Sequence, residues 1–328
     1  MIGTSLAEIA LSDPLLYLAP LPYSRRFHAY GFPVDIAGDA PEVVAAAEES
    51  WGVYPARFDR PPVRVHVMAG QGRSPLPPAP VLRGQQHLLM WIADQENFAI
   101  IDRRQRFGFS CVSRTTLEDP VFFRWHFLDA LIYMLLELNY ITSIHAACVA
   151  WQGAGVLLYG PSGVGKSTLS YACARRGWTY VSDDSSSVLW DDGRDVIGEP
   201  HRFRFRADAP DLFPELRGRT VGYQLDHKPT IEVPTADLPI RTAPQCRIER
   251  LVFLHRVPAG DAHIQSINAE QAFRRVRQDT PTFDPGLEET RQAAVEAVTA
   301  VPAVELTYSD FEQAVTVLEE LVQPGAVA

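Results

Sequence analysis

Apolar positions recur every two residues in some stretches of the chain and every three to four in others, which divides it into a series of strands and helices. Before residue 120, period-two alternation predicts strands at about 63–68, 87–93, 98–102 and 107–112, and a run of helical period predicts a helix over 41–51. The proline-rich stretch 74–80 reads as a loop, and Asp119-Pro120 opens a helix that runs to about Leu138. After Ile144 the pattern changes to strand (145–151), turn (Gln152-Gly153), strand (156–159), glycine-rich loop, helix (166–176), a Gly177 stop and strand (179–182). Shorter strands follow at about 187–190, 195–197, 202–205, 230–233 and 251–254. Helices at 269–278, 287–298 and 309–322 enclose a last strand at 304–306.

Hairpin signals around a single βα unit predict an α/β fold with a mixed sheet, preceded by a smaller α+β unit. The expected domains are 1–117 and 118–328, in keeping with about 150 residues per domain. No internal repeat or low-complexity tract is present.

Composition narrows the function classes. A formal net charge of −10 disfavours a general nucleic-acid or anionic-membrane binder, since both need a basic surface. The cysteines, Cys111, Cys148, Cys173 and Cys246, are scattered, with no zinc or redox spacing, and read as reduced thiols. With no signal-like start and no apolar run of membrane length, cytoplasmic residence is expected; residues 127–138 are interrupted by Asp129 and Glu137. Only two of the 30 basic residues are lysines, Lys166 and Lys228, and one of them sits in the glycine-rich loop.

That loop reads Gly160-Pro161-Ser162-Gly163-Val164-Gly165-Lys166-Ser167-Thr168, between an apolar strand and a helix. The glycines allow a tight turn whose N–H groups point inward, so that phosphate oxygens meet several donors and the positive end of the next helix. Lys166 is placed to neutralise the β- and γ-phosphates, and Ser167 to offer a hydroxyl to Mg²⁺. The adjacent carboxylates Asp183 and Asp184 can divide the remaining work, one holding Mg²⁺ through water and the other taking a proton from an attacking hydroxyl. Alternation along a strand points the two in different directions. Arg202, Arg204 and Arg206 share one face of a strand, a pattern equally suited to an anionic substrate and to a solvated face.

His145-Ala146-Ala147, the loop 160–168 and Val181-Ser182-Asp183-Asp184 together resemble the catalytic domain of HPr kinase/phosphorylase and its kinase-like relatives, with a more distant likeness to the phosphoenolpyruvate carboxykinase nucleotide fold. The intervals agree: His145 lies 21 positions before Lys166, and Asp183 lies 17 after it. The resemblance covers about residues 140–205. It implies a P-loop kinase domain over 118–328, with ATP and Mg²⁺ as nucleotide and metal. It further implies Asp183 as general base beside His145, Asp184 as a partner in metal binding, and Lys228 as a basic residue reaching the transferred phosphate. One departure is visible: Glu199 is not at the interval of the family's metal-binding glutamate.

The function these features imply is transfer of the γ-phosphoryl of ATP·Mg²⁺ to a hydroxyl, on a serine of a protein or peptide or on a small alcohol. The alternative is a nucleotide-switched binding protein without phosphotransfer. No nucleic-acid or membrane partner is expected, and a homo-oligomer is compatible with the chain.

Overall fold

The computed structural model describes Asp13 and residues 15–191, 193–223, 229–280 and 285–323. The chain divides into two compact units, Met1–Tyr140 and Ile141–Ala328.

The first unit is built on a seven-stranded sheet. Its strands are β1 (Tyr23–Ala29), β2 (Phe32–Gly38), β3 (Val63–Ala69), β4 (Val81–Gln85), β5 (Leu88–Ile92), β6 (Phe98–Asp102) and β7 (Phe107–Val112), in the order β1-β2-β3-β7-β6-β5-β4. Helix α1 (Pro41–Trp51) crosses from β2 to the parallel β3 and buries Val43, Ala46, Ala47 and Trp51 along one face. The β1–β2 hairpin has no counterpart in the sequence-based expectation. It turns on Tyr30 and Gly31, with φ of 52° and 95°, a two-residue turn whose twist suits a hairpin. Because β1 is exposed over Tyr23–Arg26, its residues show little of the alternation that betrays a half-buried strand.

After the short helix α2 (Arg114–Glu118), Asp119 caps α3 (Pro120–Phe123) by accepting from the N–H of Phe122 at 3.0 Å. A π-helical stretch, Arg124–Asp129, leads into α4 (Ala130–Glu137), so the helix expected from Asp119 to about Leu138 forms. Helix α4 packs on β3, β6 and β7. That packing corrects the expected boundary at 117/118: the helix completes the core of the first unit, and the compact unit ends at Tyr140.

The second unit is an α/β structure with a mixed ten-stranded sheet. Its strands are β8 (Ile141–Ile144), β9 (Ala146–Trp151), β10 (Ala154–Tyr159), β11 (Thr179–Ser182), β12 (Ser186–Leu189), β13 (Asp195–Ile197), β17 (Arg241–Thr242), β18 (Gln245–Arg256), β19 (His263–Ile267) and β20 (Ala303–Tyr308). Strand β10 runs antiparallel to β9 and parallel to β18. The long β18 forks the sheet, pairing β13 through its first residues and β20 through its last. Alternation on β9 and β10 feeds two cores. Ala147, Val149, Val156 and Leu158 pack with Leu169, Val315 and Leu318, whereas Ala146, Cys148, Leu157 and Tyr159 pack with Val276, Val295 and Val298.

The first core receives α5 (Lys166–Arg175) and α9 (Phe311–Leu321); the second receives α7 (Ala269–Gln278) and α8 (Glu288–Thr299). A sheet covered on both faces explains the continuous apolar character of 146–150 and 156–159. Strand β19 had no sequence signal, because four of its five residues are exposed at the sheet edge. A small antiparallel sheet of β14 (Arg202–Arg206), β15 (Gly222–Tyr223) and β16 (Pro229–Pro234), near the one-turn helix α6 (Ala209–Leu212), sends Phe203 and Phe205 into the first core against Tyr171. Among the described residues no helix is long and apolar enough to cross a membrane.

Candidate active site at the glycine loop

The loop joins the end of β10 to the first turn of α5. Gly163 and Gly165 have φ of 89° and 110°, a region costly for any residue with a Cβ. At Gly165 space is closed as well: a Cβ there would lie 2.8 Å from the Tyr308 hydroxyl oxygen. That hydroxyl donates to the Val164 carbonyl at 2.8 Å, tying the loop to the end of β20. Helix α5 has no side-chain cap at its start, so the donors of its first turn remain available to an anion.

Lys166 is only 5% exposed, and its Nζ donates to the Gly160 carbonyl at 2.8 Å and to His145 Nε2 at 2.9 Å. Burial lowers its pKa, opposed by the negative charges of Asp184 and Asp279. His145 occupies the bend between β8 and β9, one position earlier than the strand expected for it to open. Strand β8 pairs with β12 while β9 pairs with β10 and β11, and the change of partner turns His145 toward the loop. Its Nδ1 faces Asp184 Oδ1 at 3.4 Å. Those two neighbours fix the tautomer: Nδ1 carries the hydrogen and Nε2 accepts from Lys166.

The acid pair is split as alternation requires, yet in the opposite sense to the one implied by the resemblance. Asp184 is exposed and lies against His145, whereas Asp183 is buried and turned away. Asp183 accepts from the Tyr180 hydroxyl at 3.1 Å and from the Arg204 N–H at 3.0 Å. Burial pushes its pKa up to about 6; Arg204 pulls the other way through its charge and its N–H, and Asp184 and Glu199 add to the rise. The main-chain carbonyl of Asp183 accepts from the Ser167 hydroxyl at 3.2 Å, which brings Ser167 to the end of β11. Ser186 is structural: its hydroxyl donates to the Ala146 carbonyl at 2.9 Å.

Among the described residues no cluster of three or more histidine, cysteine or carboxylate side chains forms a metal cage. Mg²⁺ needs none, because it keeps most of its water and takes one or two protein oxygens beside the phosphates. The Ser167 hydroxyl and the exposed Asp184 carboxylate supply hard oxygens on the two sides of the Lys166–His145 contact, and this donor set fits that ion. Glu199 is occupied by Arg204 at 3.3 Å.

The three arginines of β14 separate. Arg202 and Arg204 pair with Glu232 at 3.1 and 3.2 Å. Arg206 makes no ion pair among the described residues, and its Nη2 lies 3.3 Å from where a Cβ on Gly163 would stand. Neither Arg206 nor Tyr308 was singled out for the loop by spacing, since one is 43 positions and the other 145 positions from Gly163. Lys228 lies outside the described residues.

Residues 137–206 match the family described as HPr Serine kinase C-terminal domain. The HPr kinase/phosphorylase of Enterococcus faecalis is 41% identical over 59 residues, 18% of this chain and 19% of that protein. The HPr kinase/phosphorylase of Bacillus cytotoxicus is 33% identical over 84 residues, 26% of this chain and 24% of that protein. The chain thus spans about a fifth to a quarter of the length of these curated relatives. A solved HPr(Ser) kinase/phosphatase from Coxiella burnetii aligns with 54% of this chain and 93% of its own, at 14% identity and a TM-score of 0.29. Residues 137–206, the stretch that carries His145, the glycine loop and the acid pair, are HPr kinase-like.

Proposed function

We propose that the second unit is a P-loop kinase domain that transfers the γ-phosphoryl group of ATP·Mg²⁺ to a hydroxyl acceptor, as an HPr kinase-like phosphotransferase. The observation that carries this reading is the connected row Asp184–His145–Lys166 at the mouth of the loop, with separations of 3.4 and 2.9 Å. A loop that only held nucleotide would need the lysine; a histidine and an exposed carboxylate beside it suit proton transfer, which is why the switch alternative is not favoured. The acceptor is a serine of a protein or peptide, or a small alcohol.

In this mechanism the loop N–H groups and Lys166 hold the β- and γ-phosphates, and Arg206 closes over them from β14. Lys166 exchanges its contacts with Gly160 and His145 for phosphate oxygens. The acceptor hydroxyl gives its proton to Asp184 as its oxygen attacks phosphorus, and the bond to the β-phosphate oxygen breaks to release ADP. His145 holds the Asp184 carboxylate in place. Asp183 keeps Ser167 and the end of β11 in position. Mg²⁺ would be held by the Ser167 hydroxyl beside the phosphates and would supply charge neutralisation there.

The test is radiolabel transfer beside calorimetric ATP affinity. Asp184→Asn is expected to bind ATP·Mg²⁺ within a fewfold of wild type while transfer falls by about 10²–10⁴, the usual share of a general base. Wild-type transfer in Asp184→Asn would sink the mechanism.

A further inference from the structure

A cavity of about 190 Å³ opens beside the first residues of the glycine loop, lined by Gly160, Pro161, Phe253, Arg275, Asp279 and Glu305, among others. Gly160 and Pro161 are also the residues whose carbonyls hold Lys166 Nζ, at 2.8 and 3.5 Å. A phosphate-loop lysine works on the β- and γ-phosphates. The cavity therefore lies beside the loop residues that hold the Lys166 ammonium, at the start of the phosphate-binding turn.

Its chemistry is specific. Arg275 lies over the Phe253 ring at 5.0 Å and donates to Glu305 Oε2 at 2.7 Å, which leaves Glu305 Oε1 without a partner among the described residues. The Tyr159 hydroxyl donates to Asp279 Oδ2 at 2.6 Å, which leaves Asp279 Oδ1 in the same condition. Two carboxylates and one guanidinium give the lining a net negative charge. Gln278 ends helix α7 and Asp279 follows as its C-cap, so the negative end of a ten-residue helix adds to that field. The volume is small beside the roughly 300–1,000 Å³ of ordinary ligand pockets. It suits a small group better than a drug-sized ligand.

We infer that this cavity is the acceptor subsite, and that it takes a compact amino alcohol, with the hydroxyl toward Gly160 and the ammonium toward Glu305 and Asp279. The inference rests on the phosphotransfer reading above and deepens it. Anionic alcohols are excluded by the same charges that attract the ammonium. Transfer balances as already written: the acceptor oxygen forms the new bond to phosphorus, its proton passes to Asp184, and ADP leaves with the electrons of the broken bond.

The experiment measures ³²P transfer from labelled ATP to ethanolamine, L-serinamide, glycolate and glycerate, and to a lysine-flanked seryl hexapeptide, alongside calorimetric ATP affinity. Ethanolamine or L-serinamide should be labelled with kcat/KM at least tenfold above the two acids. Glu305→Gln, which keeps the contact with Arg275, should raise KM for the amino alcohol about tenfold and leave ATP affinity within threefold. Gln278→Trp should abolish transfer by filling the cavity, with ATP affinity again preserved; the milder Glu305→Gln carries the test if that variant does not fold. Equal or better use of glycolate or glycerate would overturn the inference, as would labelling of the peptide alone with Glu305→Gln behaving as wild type. If proteins in a cell extract are labelled and no compound in the panel is, the subsite is wrong and phosphotransfer stands. Loss of ATP binding in the wild type would instead remove the phosphotransfer reading.

Discussion

Lys166 Nζ lies 2.9 Å from His145 Nε2, a contact between a phosphate-loop lysine and a histidine held by the opposite ring nitrogen to Asp184. The lysine is therefore parked rather than free. Replacing His145 with alanine removes an acceptor from Lys166 and the partner of Asp184, while the loop N–H groups stay as they are. Transfer is expected to fall about 10–100-fold with ATP affinity within threefold, because the loss is felt in the transition state. Equal losses in affinity and turnover would show that His145 serves only to shape the loop.

Lys166 itself behaves differently. Its ammonium fits a buried slot 2.8 Å from the Gly160 carbonyl, and the other lysine, Lys228, lies far along the chain. Lys166→Ala should weaken ATP binding by about 10–100-fold and abolish transfer, and Lys166→Arg should not restore it, since a planar guanidinium cannot replace a compact ammonium there. Wild-type affinity in Lys166→Ala, measured by calorimetry, would contradict the placement.

Much of this site is legible in the sequence because it is local. Glycines at 160, 163 and 165, an apolar strand before them and a helix after them make the loop recognisable, and the structure places β10 and α5 around it. What distance in sequence conceals is the support: Tyr308, which holds Val164, and Arg206, which flanks Gly163. Alternation announces that Asp183 and Asp184 diverge; which of them is buried depends on Tyr180 and on the Arg204 N–H, contacts of the folded strand ends. The β1–β2 hairpin stayed silent for another reason, since an exposed β1 carries no burial to print a period.

Asp183 gives a prediction in pH. Burial raises its pKa from an ordinary 3.8 to about 6. Between those values the folded state binds more protons than the unfolded one, so the contribution of this group to stability is fully present below the lower value and is lost as pH rises through the upper. Asp183→Asn removes the charge and keeps the shape: its oxygen can accept from the Arg204 N–H, and its amide can donate to the Tyr180 oxygen, which frees the Tyr180 hydroxyl to donate to the Arg202 carbonyl 3.0 Å away. The variant should be more stable than wild type at pH 7.5 by about 1–3 kcal/mol, with the difference shrinking toward pH 4. Urea titrations at the two pH values check it, and a larger advantage at pH 4 would refute the sign.

Arg206 supplies the last expected outcome. Its guanidinium stands against Gly163 from the end of β14, while Arg202 and Arg204 on the same strand are committed to Glu232 and Glu199. A guanidinium so placed meets phosphate oxygens once the loop is filled, through charge-assisted hydrogen bonds. Arg206→Ala should weaken ATP more than ADP and leave AMP nearly unchanged, with an effect of about tenfold for ATP, roughly 1.4 kcal/mol. Arg206→Lys should recover part of the loss, since charge survives and the fork geometry does not. Raised salt should narrow the gap between wild type and Arg206→Ala, because the contact is exposed and screened. Calorimetry with the three nucleotides at low and high salt reads all of this, and an equal loss for ATP and AMP would mean that Arg206 braces the loop at Gly163 without touching the phosphates.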